Sequence, residues 1–426
     1  MRMSIWGSEI CGLVAAACFA RAGNNVRLVI DNPERGLESL SQQSLDTEPG
    51  LKRILDEQIV AGRISLSNKK EAMQEKLHLL AYRPNGKHKA EALAEKLADI
   101  HSGAILLITQ SNFGIGACDE LQKKLDESAN QVVSYVPENL PQGRGIDTFE
   151  SPNNLIIGCE NVWAVGILRG LFRPFLQNGN GQITTMTRTE AEFSKFAVTG
   201  MLALRLSYIN ELANLADNLN ADIEVIRDAM AMDPRIGRDY LQPGCGFGGL
   251  SFSQYLSGLA ETLSAQRNST ILMGVLENNE VQKETPFRKL WRHYDGELAG
   301  KTITIWGTSF KPETSSMDNA PSILVIKALL AQQVSVKVHD PEALETCRSI
   351  FSDIDDSGLI SYEASAYDAL EGSHGLLILT HWQEYWSPDF ERMKQLMENR
   401  LIIDGRNLYD RQLIESIGFT YHGIGH

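Results

Sequence analysis

Apolar and polar positions alternate along the chain in short blocks. Met3 to Trp6 is an apolar run that stops at Gly7, and Gly12 to Ala22 has helical character. A second strand-like run follows from Asn25 to Ile30, so the chain opens as β-α-β. Further strands are predicted at Leu77 to Ala81, Ala104 to Thr109, Val132 to Tyr135 and Leu155 to Ile157, with helical stretches such as Lys89 to His101 between them. That alternation predicts a mostly parallel, doubly wound sheet. The pattern changes near Thr189. From Ala191 to Leu219 apolar residues recur at helical spacing with no Pro and one Gly, which predicts one long helix. More helices are expected to about Glu284, just before Pro286, where a second α/β unit begins. Lys301 to Gly307 repeats the opening run and its glycine, and Val334 to His339, Gly375 to Thr380 and Leu401 to Asp404 supply further strands, the last of these being the final one. The expected fold is α/β: two Rossmann-like doubly wound parallel-sheet domains joined by a helical domain, with boundaries at 1–188, 189–297 and 298–426.

Composition narrows the function. The chain has 426 residues, 43% hydrophobic and 22% charged, which suits a globular protein of several domains. A net charge of -14 excludes nucleic-acid binding through a general field, because phosphates would be repelled, but leaves room for a local basic pocket. The six cysteines are scattered without a CxxC pair, so reduced thiols in the cytoplasm are expected. Arg2 before Leu13 to Ala20 has the outline of a secretion signal, but Glu9 and the glycines interrupt it and the residues fit strand, turn and helix better. No apolar run approaches the ~20 residues of a membrane span.

The first turn reads Gly7-Ser8-Glu9-Ile10-Cys11-Gly12. In a dinucleotide-binding GxGxxG turn, the first glycine makes the bend, the second admits the pyrophosphate and the third packs helix on strand. Here Gly7 and Gly12 are present and the second position is Glu9, so the glycines the fold needs are kept and the one the ligand needs is replaced. Two like charges ~4 Å apart at an effective dielectric of ~20 repel by about 4 kcal/mol, an upper figure for a side chain that can rotate. The acidic residue expected at the end of the second strand falls on Ile30, with Asp31 one residue later and therefore on the other face. This reads as a Rossmann fold with weakened dinucleotide binding.

The most specific stretch is Met232-Asp-Pro-Arg-Ile-Gly237, then Tyr240-Leu241 and Pro243-Gly-Cys-Gly-Phe-Gly-Gly249. It resembles the substrate loop of the UDP-glucose/GDP-mannose dehydrogenase family, DxRIG followed by GFGGSCFPKD. Ala191-Glu-Phe-Ser-Lys195 with Asn210-Glu211, Phe310-Lys311-Pro312, Asp404-Gly-Arg-Asn407, Glu48-Pro-Gly-Leu51 and Gly62-Arg63 resemble further motifs of that family, so the likeness spans the chain. The resemblance implies a dinucleotide domain, a helical dimerisation domain and a UDP-binding domain. It also implies oxidation of a sugar alcohol to a carboxylate by NAD acting twice, through a cysteine thioester. That chemistry needs a sulfur nucleophile that is also a good leaving group. After Gly249 this chain reads Leu250-Ser-Phe-Ser-Gln-Tyr255, which places Ser251 at the cysteine, Gln254 at the following lysine and Tyr255 at the aspartate. Cys245 lies six residues before Ser251, at a variable position between loop glycines, and is not an obvious substitute.

The remaining site positions divide by ligand. The resemblance assigns Leu140, Lys195, Arg235 (reaching across a dimer), Tyr240, Phe247, Gly248, Phe310, Lys311 and Arg406 to the nucleotide sugar, and these are kept. The family's asparagine four residues after the lysine is Thr199 here. Positions implied for NAD are altered: the threonine of STVPVG is Asn112, the second glutamate of NPEFLxEG is Gln142 although the first remains as Glu138, and the arginine after FKP is Asp318. Glu9 and Asp318 add negative charge and Gln254 removes positive charge near the NAD phosphates, while Lys195, Arg235 and Lys311 stay available for the sugar diphosphate. The expectation is a catalytically silent homologue that binds a UDP-glucose-like nucleotide sugar and forms a homodimer. Two other readings stand beside it: an active NAD-dependent dehydrogenase of altered chemistry using Lys195 and Glu138, and a structural subunit that pairs with an active paralogue.

Overall fold

The computed structural model describes residues 1–39, 48–138, 140, 143–176, 181–266, 270–352 and 358–426. The chain separates into two compact units, Met1–Ala197 and Val198–His426. In the first, the strands are β1 Arg2–Trp6, β2 Asn25–Val29, β3 Ile64–Ser67, β4 Leu77–Leu80, β5 Ile105–Thr109, β6 Gln131–Tyr135, β7 Asn154–Gly158 and β8 Gln182–Met186. Their spatial order is β3-β2-β1-β4-β5-β6-β7-β8. All neighbours pair parallel except β6 and β7, which meet antiparallel at Tyr135 and Gly158.

Both faces of β1 are covered, so Met3 and Ile5 are as buried as Trp6 on the opposite side, and the strand reads as a continuous apolar run. The helix Ile10–Arg21 buries every residue from Gly12 to Ala20. Its Ala15-Ala16-Ala17 run lets it lie close to the sheet. One polar knot crosses this interior: Trp6 Nε1 donates to Ser4 Oγ at 2.8 Å, and Ser4 Oγ lies 2.6 Å from His78 Nδ1 on the neighbouring strand. Burial, reinforced by His101 nearby, pushes the His78 imidazole down to about 3. It stays neutral as the burial of a partnered group requires.

The second unit carries β9 Thr302–Trp306, β10 Ser335–His339, β11 Ile360–Tyr362, β12 Gly375–Ile378, β13 Leu401–Asp404 and β14 Thr420–His422. All neighbours are parallel in the order β11-β10-β9-β12-β13-β14. Each unit thus contains the same doubly wound order, with its first strand beside its fourth at the switch point where ligands of such sheets sit. Helices Arg188–Leu219, Ile223–Ala231, Leu250–Gln266, Thr270–Lys283 and Thr285–His293 occupy the chain between the sheets.

Three details differ from the sequence pattern. Pro286 opens a further helix rather than ending the helical region, since proline lacks only an N–H that the first turn leaves unused. The final strand is Thr420–His422, not Leu401–Asp404. Strands β3, β8 and β11 were not anticipated; they are short, and β8 is largely exposed, so none shows a buried apolar period. Among the described residues no helix is long and apolar enough to cross a membrane.

Candidate functional site

In the first unit the turn after β1 is built by its glycines. Gly7 has φ +123°, and a Cβ there would lie 2.2 Å from the Ala81 carbonyl oxygen. A Cβ on Gly12 would lie 2.2 Å from the Gly7 carbonyl oxygen. Both are therefore required by the close passage of backbone, whatever the turn binds. Glu9 begins the following helix in ordinary extended backbone and makes no side-chain cap bond. Its Oε2 instead lies 2.8 Å from an Arg83 guanidinium nitrogen. Arg83 stands just beyond β4, on the other wall of the switch point, and was not singled out from the sequence; the available signal was a cation in the Tyr82-Arg83-Pro84 turn right after a predicted strand.

Ile30 is buried and Asp31 is exposed, its carboxylate 4.0 Å from Lys69, so the one-residue offset does turn the acid away from the core. Asn112 is buried, its Oδ1 accepts weakly from the Gly114 N–H at 3.4 Å, and its Nδ2 has no partner among the described residues. Lys195 reaches from the long helix to donate to the Glu138 carbonyl at 2.6 Å. The Glu138 carboxylate accepts from the Leu140 N–H at 3.0 Å. Burial and then the nearby Glu138 carboxylate push the Cys11 thiol well up, so Cys11 is held protonated and is not a nucleophile. On the same helix as Lys195, buried Glu192 accepts from the Gly116 and Cys118 N–H groups at 2.7 and 2.8 Å and so anchors the loop that carries Asn112. Gln142 lies outside the described residues.

In the second unit the glycine loop 243–249 is held by polar side chains from the surrounding helices. Asn210 accepts from the Gly244 N–H at 2.9 Å, and Gln282 donates to the Gly244 carbonyl at 2.7 Å. Asn279 bonds both the N–H and the carbonyl of Phe247. The loop then passes across Phe310. A Cβ on Gly248 would come within 2.8 Å of the Asn319 carbonyl oxygen, and one on Gly249 within 2.9 Å of the Phe310 ring. The Phe247 and Gly248 positions and Phe310 are thus brought together.

Arg406 donates through Nε to the Leu379 carbonyl at 2.6 Å and through Nη1 to the Gly246 carbonyl at 3.3 Å. Its buried Nη2 has no partner among the described residues. Lys311 Nζ lies 5.8 Å from the Phe310 ring centroid. The imidazole of His381, although partly open to solvent, is pushed down to about 4 by partial burial and then by Arg406 and Lys311. Arg406 thus keeps one donor without a partner among the described residues, and Arg406 and Lys311 both act on His381.

The other expected positions are dispersed. Arg235 is exposed and paired with Asp233 at 2.6 Å. Tyr240 is partly exposed with φ +58°, a left-handed conformation uncommon for a side chain of that size. Thr199 is buried one helical turn after Lys195. Gln254 is exposed, and Asp318 is exposed with its carboxylate accepting from Ser316 Oγ at 2.9 Å. Ser251 is the second residue of its helix, and its side chain lies outside the described residues. Cys245 is fully buried, its Sγ 3.8 Å from the Leu379 carbonyl oxygen, and burial pushes the thiol up; it packs the loop against Gly405 and is no substitute nucleophile.

Two sheets of doubly wound order and a glycine loop clamped by side chains of the surrounding helices define an α/β protein of the doubly wound class. Residues 1–176 match the UDP-glucose/GDP-mannose dehydrogenase family NAD binding domain, residues 189–281 its central domain and residues 304–411 its UDP binding domain. The chain belongs to that family. It is 33% identical to UDP-glucose 6-dehydrogenase of Pseudomonas aeruginosa, across 100% of this chain and 97% of the other. It is 28% identical to UDP-glucose 6-dehydrogenase of Rhizobium meliloti, across 100% and 99%. A solved UDP-glucose dehydrogenase from Pyrobaculum islandicum matches with a TM-score of 0.86 at 25% identity, covering 100% of this chain and 97% of that one.

Proposed function

We propose that this protein is a catalytically silent nucleotide-sugar-binding member of its family, with a UDP-glucose-like ligand and weakened affinity for NAD. The observation that carries the reading is the unequal state of the two switch points. In the second unit Arg406 keeps a buried N–H with no partner among the described residues, reaches the Gly246 carbonyl through Nη1, and acts together with Lys311 on His381. In the first, the turn that would approach a pyrophosphate carries the Glu9 side chain. The residues of that turn do not fit a dinucleotide diphosphate. Ser251 stands where the reaction calls for a thiolate, and neither Cys11 nor Cys245 supplies one, both thiols being held protonated.

The exposed apolar residues Val198, Met201, Tyr208, Leu215 and Leu219 form a stripe on the long helix, which supports a homodimer through that helix. All six cysteines are free thiols, in keeping with a reducing, cytoplasmic setting. The domain boundaries we assign are 1–188, 189–297 and 298–426.

One observation favours a second reading, an active dehydrogenase: Lys195 and Glu138 are in direct contact, and the relatives named above are dehydrogenases. The test separates the two. Thermal unfolding is followed with UDP-glucose alone and with NAD alone, since a ligand of the native state adds RT ln(1 + [L]/Kd). NADH formation is followed with both present. A rise in Tm with UDP-glucose, none with NAD and no NADH is expected. NADH formation would replace the silent reading with the active one, and the absence of any response to UDP-glucose would remove its binding half.

A further inference from the structure

We propose that Glu9 and Arg83 form an internal plug of the first-unit crevice, in which the Glu9 carboxylate stands where a dinucleotide's diphosphate would lie and Arg83 is its counter-ion. This rests on the reading that NAD affinity is weakened, and supplies a device for it. Strands β1 and β4 run side by side, Trp6 paired with Leu80, and the Ala81 N–H donates to the Trp6 carbonyl at 2.8 Å. Gly7 then passes within van der Waals range of Ala81, so the two chain segments leave the sheet together at the switch point. Glu9 departs on one wall and Arg83 on the other, and their side chains close across the gap at 2.8 Å.

The bland role for an acidic residue in this place is helix capping, and Glu9 does not perform it. Its side chain accepts no hydrogen bond from the helix it begins. The carboxylate is aimed at Arg83 while still feeling the positive end of that helix, which is the electrostatic setting of a bound phosphate. Its backbone is extended and unstrained, so nothing in the main chain opposes the arrangement. Both side chains keep contact with water, the Glu9 side chain at 41% exposure and that of Arg83 at 60%, so the pair can open. Arg83 carries the guanidinium on the opposite wall, a group whose fork matches a diphosphate.

The full chain and its E9G, E9Q, R83A and E9G/R83A variants are titrated calorimetrically with NAD and with ADP, after Tm shows each variant folded. E9G is expected to tighten NAD by about tenfold or more, with E9Q intermediate, because a like charge and a Cβ are removed from the phosphate position. The gain from E9G is expected to shrink severalfold in the R83A background, because without Arg83 the Glu9 carboxylate is no longer held across the crevice and its removal opens less. Equal affinity of wild type and E9G overturns the plug, and so does a gain of the same size with and without Arg83. Tight NAD binding by the wild type instead overturns the weakened-affinity reading itself, whereas loss of UDP-glucose binding touches only the sugar half and leaves the plug standing.

Discussion

Single residues in this protein are constrained by contacts of very different kinds, and the substitutions that test them separate accordingly. Gly7 is held by geometry: with φ +123° and a carbonyl 2.2 Å from the site of any Cβ, Gly7→Ala strains the backbone and forces β1 from β4. A loss of roughly 3 kcal/mol or more is expected in urea unfolding. Arg406 is held by its fork. Arg406→Lys keeps the charge but loses the paired contacts to the Leu379 and Gly246 carbonyls and the spare Nη2. Its Kd for UDP-glucose is expected to rise about tenfold by calorimetry, with a smaller effect on Tm. Both residues were legible in the sequence, Gly7 from its place after an apolar run and Arg406 from its motif. Arg83 was not legible, because its meaning comes from a carboxylate 74 positions away that only the β1–β4 pairing brings within reach.

At the scale of elements, the long helix Arg188–Leu219 has several duties along its length. Near its start Glu192 anchors the Asn112 loop and Lys195 reaches Glu138. Further on, Asn210 ties the glycine loop. Met201, Tyr208 and Leu215 recur every seven residues and are each more than half exposed. A repeat of that period marks a face awaiting another helix. In light scattering the wild type is expected to run as a dimer and the Met201→Asp, Leu215→Asp double variant as a monomer. Retention of the dimer would move the interface elsewhere. The helix itself was visible in the sequence as an uninterrupted period. Strands β3, β8, β11 and β14 were not, because short segments paired on a sheet edge or partly exposed need no apolar alternation.

For the whole molecule, a buried neutral histidine sets part of the response to acid. Fully buried His78 is held down to about 3 chiefly by burial, whereas exposed His381 and half-buried His422, drawn down to about 4, are screened by water and count for less. In the unfolded chain these groups take up protons near pH 6.5, while the folded chain leaves them neutral. Stability is therefore fully present above about pH 6.5 and is lost as pH falls toward the folded values, His78 adding a slope of about 1.4 kcal/mol per pH unit where only the unfolded state is protonated and the more exposed pair adding less. Tm is expected to fall between pH 6.5 and 5, above the range where most carboxylates titrate. His78→Gln, if folded, should flatten that fall. A flat Tm across this window would show that these histidines are hydrated in solution. The net charge of -14 adds little here, since it relaxes rather than grows as pH drops.

The sequence by itself determined the two parallel sheets, the long helix and the family, because buried parallel strands, helical periods and glycine turns are local patterns that survive as strings. It also determined that no cysteine occupies position 251. What only the tertiary structure decided was direction and partnership: that Glu9 turns toward Arg83, that Cys11 lies near Glu138, and that, among the described residues, Asn112 keeps an unmatched N–H and Arg406 reaches the glycine loop with one donor to spare. Each of these depends on backbone segments brought side by side by strand order and loop closure, and a one-dimensional pattern carries no record of which segments those are.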